Sequence, residues 1–426
     1  MSSTLYRAGS ASGTQARLRR LRLVVACGVA VAVAGSAAVA VALWPDREAR
    51  PAWDVATVPL SAGPSADPSP SASPSPSRSP VVAPVLPAAY TLPGTRPQLP
   101  LPAAGQSTVE ASGVGTLAAS GAQQQVPIAS VAKVMTAYVV LHDHPLAAGS
   151  NGPTITVSQA EADAYPQEQS RHESLIPVQA GEKLTQRQAL LALLLPSADN
   201  AARILARWDA GSIDAFVSRM NATARRFGLS HTHYADPAGT ADNTTSTAAD
   251  QVKLGEKALN IATLAQIVAT RSATLPLAGT VTNYNTLLGS DGVVGIKTGS
   301  TTPAGGCLLF AAHHQVNGHT ITIIGAVFGQ QGATLHGLPQ AITAAQQLIR
   351  AAETALHSYP LLTAGQVVAN TSTGTTLVTT KAVTVIGWPG QTYRYTLKIT
   401  GESGTLKITG PATNTTIDLT TTTNQR

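Results

Sequence analysis

The chain is short of charge, of aromatic residues and of cysteine. Charged residues make up 12% and aromatic residues 4% of its 426 residues, and there are two cysteines. Cys27 falls in an apolar N-terminal run, which leaves Cys307 as the single cysteine after it. No intrachain disulfide can form there, so the fold must hold by its apolar core. The formal net charge of +6 includes five arginines within the first 22 residues, and no dense basic stripe follows them. Nucleic acid is therefore a poor candidate partner. Lysine is scarce too, at eight residues, and two of these, Lys133 and Lys297, sit in patterned surroundings.

Arg7, Arg17, Arg19, Arg20 and Arg22 precede the first acidic residue, and residues 23–44 carry no charge. An apolar helix of that length, at about 1.5 Å per residue, spans a hydrocarbon core. The arginines belong on the cytoplasmic side. This predicts a cytoplasmic tail (1–22), a transmembrane signal-anchor in the lipid bilayer (23–44) and an extracytoplasmic remainder. The competing reading is a cleavable secretory signal with a secreted product; its apolar core is shorter, although Ala40 and Ala42 suit cleavage. Val24-Val25-Ala26-Cys27 looks like a lipoprotein box, but only Leu23 to Ala26 separate the arginines from Cys27, too few for the apolar region such a box needs. Residues 45–95 intersperse proline with small residues, most densely over 68–80, and predict a disordered linker that spaces a folded body from the bilayer.

Structure is expected from about residue 96. Ser107–Ala111 and Gly115–Ala119 read as short strands, Val131–Leu141 as a buried helix, and Thr185 as the cap of a helix through Leu195. Further helices are predicted from Ala198 to Trp208, from Ile213 to Phe227, where Phe216, Met220, Thr223 and Phe227 recur at helical spacing, and from Asp250 to about Val268. The period then changes. Gly292–Ile296, Cys307–Ala311 and Thr320–Ile324 are strand-like, the last two joined across Asn317-Gly318, and Pro339 opens a helix ending near Leu356. The fold class is α/β (α+β): an antiparallel sheet with helices on both faces and a helical subdomain over residues 96–358. Residues 359–426 are rich in threonine, with strands near 382–386 and 393–399, and form a small all-β module.

Ser130 and Lys133 lie one turn apart on one helix face. A serine hydroxyl is a weak nucleophile until a base takes its proton, and Lys133 is the base nearest in sequence. A lysine serves as a base only when low dielectric or a positive neighbour disfavours its charge, and Lys297 could supply that neighbour. Free N–H groups at the helix start suit an oxyanion. Ser197 follows Pro196 where the chain turns. It is a second hydroxyl able to relay a proton, or else a plain N-cap. Lys297-Thr298 follows the edge strand Val293–Ile296, where an ammonium and a hydroxyl suit a terminal carboxylate. Gly299 removes a side chain where a substrate backbone could lie.

Pro127 to Tyr138, Leu194 to Ala202 with Ser197 at its centre, and Gly295 to Gly305 with Lys297-Thr298-Gly299 resemble the three motifs of the serine D-alanyl-D-alanine carboxypeptidases, the low-molecular-mass penicillin-binding proteins. Asp236-Pro237-Ala238-Gly239 and Ser246–Asp250 fit the intervening stretch, and order and spacing agree from about residue 105 to 356. The resemblance implies a β-lactamase/transpeptidase-like fold. It implies Ser130 as acylated nucleophile, Lys133 as general base and Ser197 as proton shuttle. Lys297 and Thr298 would hold the substrate carboxylate, and the N–H groups of Ser130 and Ser300 would form the oxyanion hole. The implied partners are peptidoglycan stem peptides ending in D-Ala-D-Ala and β-lactam antibiotics; neither cofactor nor metal is implied. His313 and His314 flank the hairpin as surface residues.

One position departs from the pattern. Asparagine is usual two places after the middle serine, and this chain has Asp199, with Asn200 next. Ionised aspartate only accepts hydrogen bonds, and its charge favours the ammonium form of Lys133. Either Asp199 faces the cleft or Asn200 supplies the substrate-binding amide. Two rival functions follow: a β-lactamase, for which Glu256 to Asn260 imitates a deacylation motif, and a wall-binding protein with weakened catalysis.

Overall fold

Alternation along a single strand separates two of the protein's apolar cores. In Gly305–Val316, Leu308, Phe310 and Ala312 point into one apolar cluster and Cys307, Leu309 and Ala311 into another. That pattern requires cover on both faces of the sheet. The computed structural model describes residues 82–423, apart from 121, 334, 372, 373, 401 and 412. The predicted span 23–44, Cys27 and the linker as far as residue 81 lie outside the described residues. Within these, no helix is long and apolar enough to cross a membrane.

The central sheet is antiparallel and five-stranded, in the order Val293–Thr301, Gly305–Val316, His319–Gln330, Gln106–Ala111, Gly115–Ala119. The three later strands are longer than the sequence pattern predicts, and Lys297, Thr298 and Gly299 lie inside the edge strand instead of after it. Asn317 and Gly318 both take positive φ, +49° and +78°, which is the two-residue turn their pairing predicts.

The helices are α1 (Lys133–Asp143), α2 (Gln159–Ser170), α3 (Gln186–Leu194), α4 (Asp199–Ala210), α5 (Ile213–Arg226), α6 (Ala248–Leu259), α7 (Ala262–Val268) and α8 (Leu338–Ala355). α8 covers one face of the sheet and α6 the other, where α1 also touches the edge strand. α1 is apolar nearly all round, and all but three of its eleven residues are buried; it forms the axis of the helical side. Thr185 and Gln188 form a capping box on α3, as Ser158 and Glu161 do on α2. The predicted helix from 250 to 268 is broken between α6 and α7 at Asn260–Ile261.

The C-terminal region is a seven-stranded antiparallel sheet with a two-stranded ribbon, Leu361, Leu377, Tyr393, Leu406, Ile408 and Ile417 contributing to its core. Both edges of the large sheet come from the stretch predicted as linker. Val82–Pro84 pairs with Val367–Thr371 on one edge, and Ala89–Thr91 pairs with Thr392–Thr400 on the other. Six inter-strand spacings of about 4.8 Å would hold the edges of a flat sheet roughly 29 Å apart. The chain from Pro84 to Ala89 reaches about 18 Å at most. The sheet must therefore curl until its edges approach, and residues 82–91 close it like a strap.

Candidate active site

The turn before α1 sets up the site. Ala129 adopts φ +47°, and Ala129–Ala132 form a short 3₁₀ turn that runs into α1. Ser130 Oγ is thereby placed 2.8 Å from Lys133 Nζ. Lys133 is fully buried and donates two more hydrogen bonds, to Asp199 Oδ1 at 2.5 Å and to the Ala238 carbonyl at 2.8 Å. Three partners match the three hydrogens of an ammonium. They equally suit a free amine that donates to Asp199 and Ala238 and turns its lone pair to the Ser130 hydroxyl.

Ala238 is held in place by its own loop. Thr136 Oγ1, on α1, donates to the Pro237 carbonyl at 2.6 Å. Asp236 accepts from Thr244 Oγ1 at 2.6 Å and from the Thr240 N–H and hydroxyl at 2.9 Å each. Burial pushes the Asp236 carboxyl up, but these hydrogen bonds outweigh it and hold the group below the usual carboxylate range. Gly239 has φ +81°, and a Cβ there would lie 1.9 Å from the Ala129 carbonyl oxygen. The loop thus sits directly against the turn that carries Ser130.

Lys297 is 1% exposed, and its Nζ donates to the Thr298 carbonyl at 2.9 Å. Burial, reinforced by the charge of Lys133 and opposed by that of Asp199, holds its ammonium well below the ordinary lysine range. Gly299 lines the cleft, and its missing side chain also serves the packing behind it. A Cβ there would meet Ile128 O at 2.9 Å and Ser130 N at 3.1 Å, so the missing side chain lets the edge strand lie against the nucleophile turn. Ser300 Oγ donates to the Leu335 carbonyl.

Ser197 is not an N-cap, since Ala198 occupies that position of α4 without a side-chain bond. It has φ +64°, is buried, and its Oγ makes no hydrogen bond among the described residues. Backbone held in so sparsely populated a region is commonest at functional sites. Ser130, Ser197, Thr298, Gly299 and Ser300 line one cleft of about 930 Å³, together with His172, Ser174, the Thr282–Tyr284 segment and His336. Lys133 and Lys297 lie behind this surface.

Asp199 and Asn200 do not serve the cleft as the sequence suggests. Asp199 is 3% exposed, and its second oxygen accepts from Ser174 N at 3.1 Å, so both oxygens are taken. Asn200 is turned away, its amide bridging the N–H and carbonyl of Ile176 at 3.3 and 2.7 Å. Glu256 accepts from Ser112 Oγ at 2.7 Å and lines a different hollow, so the imitation deacylation motif is remote from Ser130. Cys307 is buried, and its thiol is pushed up to about 12 by that burial. His313 is exposed, and His314, partly buried, lies 4.0 Å from Glu353. The sequence reading missed the Ala238 carbonyl and the Ser174 N–H as site groups. Backbone groups leave no residue-type signal, although the Asp236–Gly239 turn was visible.

Residues 102–331 match the family model described as D-alanyl-D-alanine carboxypeptidase. The chain is 33% identical over 222 residues to a D-alanyl-D-alanine carboxypeptidase of Streptomyces, covering 47% of this chain and 73% of that one. It is 32% identical over 192 residues to a D-alanyl-D-alanine endopeptidase of Pseudomonas aeruginosa, covering 43% and 58%. Among solved structures, a Streptomyces DD-transpeptidase superposes with a TM-score of 0.52 at 29% identity, over 61% of this chain and 98% of that one. A Haemophilus influenzae penicillin-binding protein shares the fold, with a TM-score of 0.56 at 21% identity over 78% of this chain and 99% of its own. The chain belongs to the D-alanyl-D-alanine carboxypeptidase family of serine hydrolases.

Proposed function

We propose that Ser130 is the acylated nucleophile of a serine D-Ala-D-Ala peptidase acting on peptidoglycan stem peptides. The observation that carries the reading is the 2.8 Å contact between Ser130 Oγ, at the cleft, and the buried Nζ of Lys133 behind it. Lys133 as a free amine takes the Ser130 proton while Oγ attacks the penultimate D-alanyl carbonyl. The N–H groups of Ser130 and Ser300 receive the oxyanion. Ser197 Oγ, with its hydrogen-bonding capacity unspent among the described residues, passes the proton from Lys133 to the departing D-alanine amine, and water then releases the acyl group. Lys297 and Thr298 hold the terminal carboxylate, whose charge suits a buried ammonium that lies near Lys133.

The catalytic body works outside the cytoplasm. Residues 1–22 form a cytoplasmic tail, 23–44 a single bilayer anchor, and the proline- and serine-rich stretch to residue 81 a tether. The described residues 82–95 belong with the C-terminal module, and the body spans residues 96–358.

The test is mass spectrometry of the full chain after exposure to a labelled penicillin, alongside D-alanine release from a peptide ending in D-Ala-D-Ala. One adduct on the peptide containing Ser130, with D-alanine released, is expected. Neither adduct nor release would sink the reading. Fast penicillin turnover without D-alanine release would point to a β-lactamase.

A further inference from the structure

We propose that Asp199 is a positioning residue, a two-acceptor bridge that ties the base Lys133 to the His172–Ser174 wall of the cleft and holds that base as an ammonium at rest. The proposal rests on the reading of Lys133 as the base of Ser130.

Asp199 Oδ1 receives Lys133 Nζ at 2.5 Å, and Oδ2 receives the Ser174 N–H at 3.1 Å. The Asp199 N–H returns a bond to the Ser174 carbonyl at 2.7 Å, so the wall is held twice by one residue. Ser174 and its neighbour His172 line the cleft. Two donors converge on the side chain, and aspartate answers both. Asparagine, its isostere, has one acceptor and must aim its amide nitrogen at either the Ser174 N–H or the ammonium. The amide is therefore no neutral replacement here, although it removes the charge.

The pair is surrounded by other charges. Lys297 approaches from the edge strand. Arg203, one turn along α4, acts on Asp199 and binds Glu168 at 2.7 Å and Glu173 at 2.5 Å. Glu173 also accepts from Arg171 two residues earlier, so Arg203 and Asp199 anchor adjacent residues of this segment. Before acylation, Lys133 must lose a proton to solvent while Asp199 keeps its negative charge; the free amine then accepts the proton of Ser130. Losing that proton gives up the 2.5 Å ion pair with Asp199. In this chain the base is consequently held in reserve, and acylation gains from rising pH.

The experiment measures the rate of acylation by a fluorescent penicillin against pH for the full chain and its Asp199→Asn and Asp199→Ser variants. Hydrogen exchange over residues 171–176 is followed in parallel. The acid limb should move to lower pH by at least one unit in both variants, and exchange at the Ser174 amide should quicken at least tenfold. A purely structural residue would lower the rate at every pH and leave the limb in place. An unmoved limb in whichever variant folds overturns the proposal. If the wild-type chain takes no penicillin at any pH, the reading of Lys133 as the base fails first.

Discussion

Lys297→Met should make the folded chain more stable while it destroys recognition of a substrate carboxylate. Lys297 is almost fully buried, and burial followed by repulsion from Lys133 holds its ammonium well below the ordinary range. The unfolded chain keeps a proton on this lysine up to about pH 10.4. The folded chain releases it earlier, so between the two values the unfolded state binds more protons and stability rises with pH. Below the folded value the penalty is complete. Methionine fills a similar volume without charge. Removing a buried charge that lacks full compensation returns roughly 1–4 kcal/mol, less about 1 kcal/mol for the donor lost to the Thr298 carbonyl. The net gain lies between zero and about 3 kcal/mol, and its midpoint of about 1.5 kcal/mol corresponds to a rise in Tm of roughly 3–6 °C for a domain of this size. Thermal unfolding followed by circular dichroism at about pH 7 and about pH 9.5 reads both effects. The variant should melt higher at neutral pH, and its advantage should shrink at the alkaline one. A lower Tm at pH 7, or a gap indifferent to pH, would refute the claim that Lys297 carries a penalised charge. Hydrolysis of a peptide with a free terminal carboxylate should fall more than that of its ester.

Lys133→Ala should cut acylation of Ser130 by roughly 100- to 10,000-fold and also lower Tm, because Asp199 is left buried and unpaired. Adding Asp199→Asn should restore most of the Tm and none of the rate; recovery of the rate in a penicillin-binding assay would show that another group activates Ser130. Gly299→Ala forces Ile128 and Ser130 to give by a few tenths of an ångström. It should slow acylation by roughly tenfold or more at nearly unchanged Tm, so a wild-type rate would show that the turn accommodates a methyl group. Deleting residues 82–91 uncovers both edges of the C-terminal sheet and should produce concentration-dependent association in light scattering, with penicillin acylation retained. A monomeric deletion variant would show that the edges are protected by other means.

The groups proposed to react could be picked out in the sequence because their spacing is local or fixed by regular structure. Ser130 and Lys133 share a turn, and Lys297 and Thr298 are consecutive on a strand whose pattern is plain. The identity of the group beside Lys133 was not readable. Asp199 and Asn200 are neighbours on α4, and the 171–176 segment decides which one meets the lysine, through Ser174 for one and Ile176 for the other. The packing role of Gly299 was hidden for a related reason, since the pressure that excludes its side chain comes from residues 128–130, far away in the chain. α2 escaped notice because Glu168 is its one buried residue and no apolar stripe marks it, although Ser158 and Glu161 announced its start. The two strands at 82–91 were hidden by proline-rich surroundings, because pairing with distant strands outweighed a composition that argues against order.

The strap imposes an order of assembly. Residues 82–91 are synthesised before the catalytic body, and their partners, Val367–Thr371 and Thr392–Thr400, come after it. Pairings so distant in sequence form slowly, because the loop between them must close first. The body, whose sheet and helices lie wholly between the two, can complete itself while the strap waits unpaired. The module is then the last part to fold, and its closure brings the start of the folded chain against its end. A nascent chain arrested between Leu356 and Val367 would carry a finished body and no partner for the strap, leaving two short strands free to pair with a neighbouring chain.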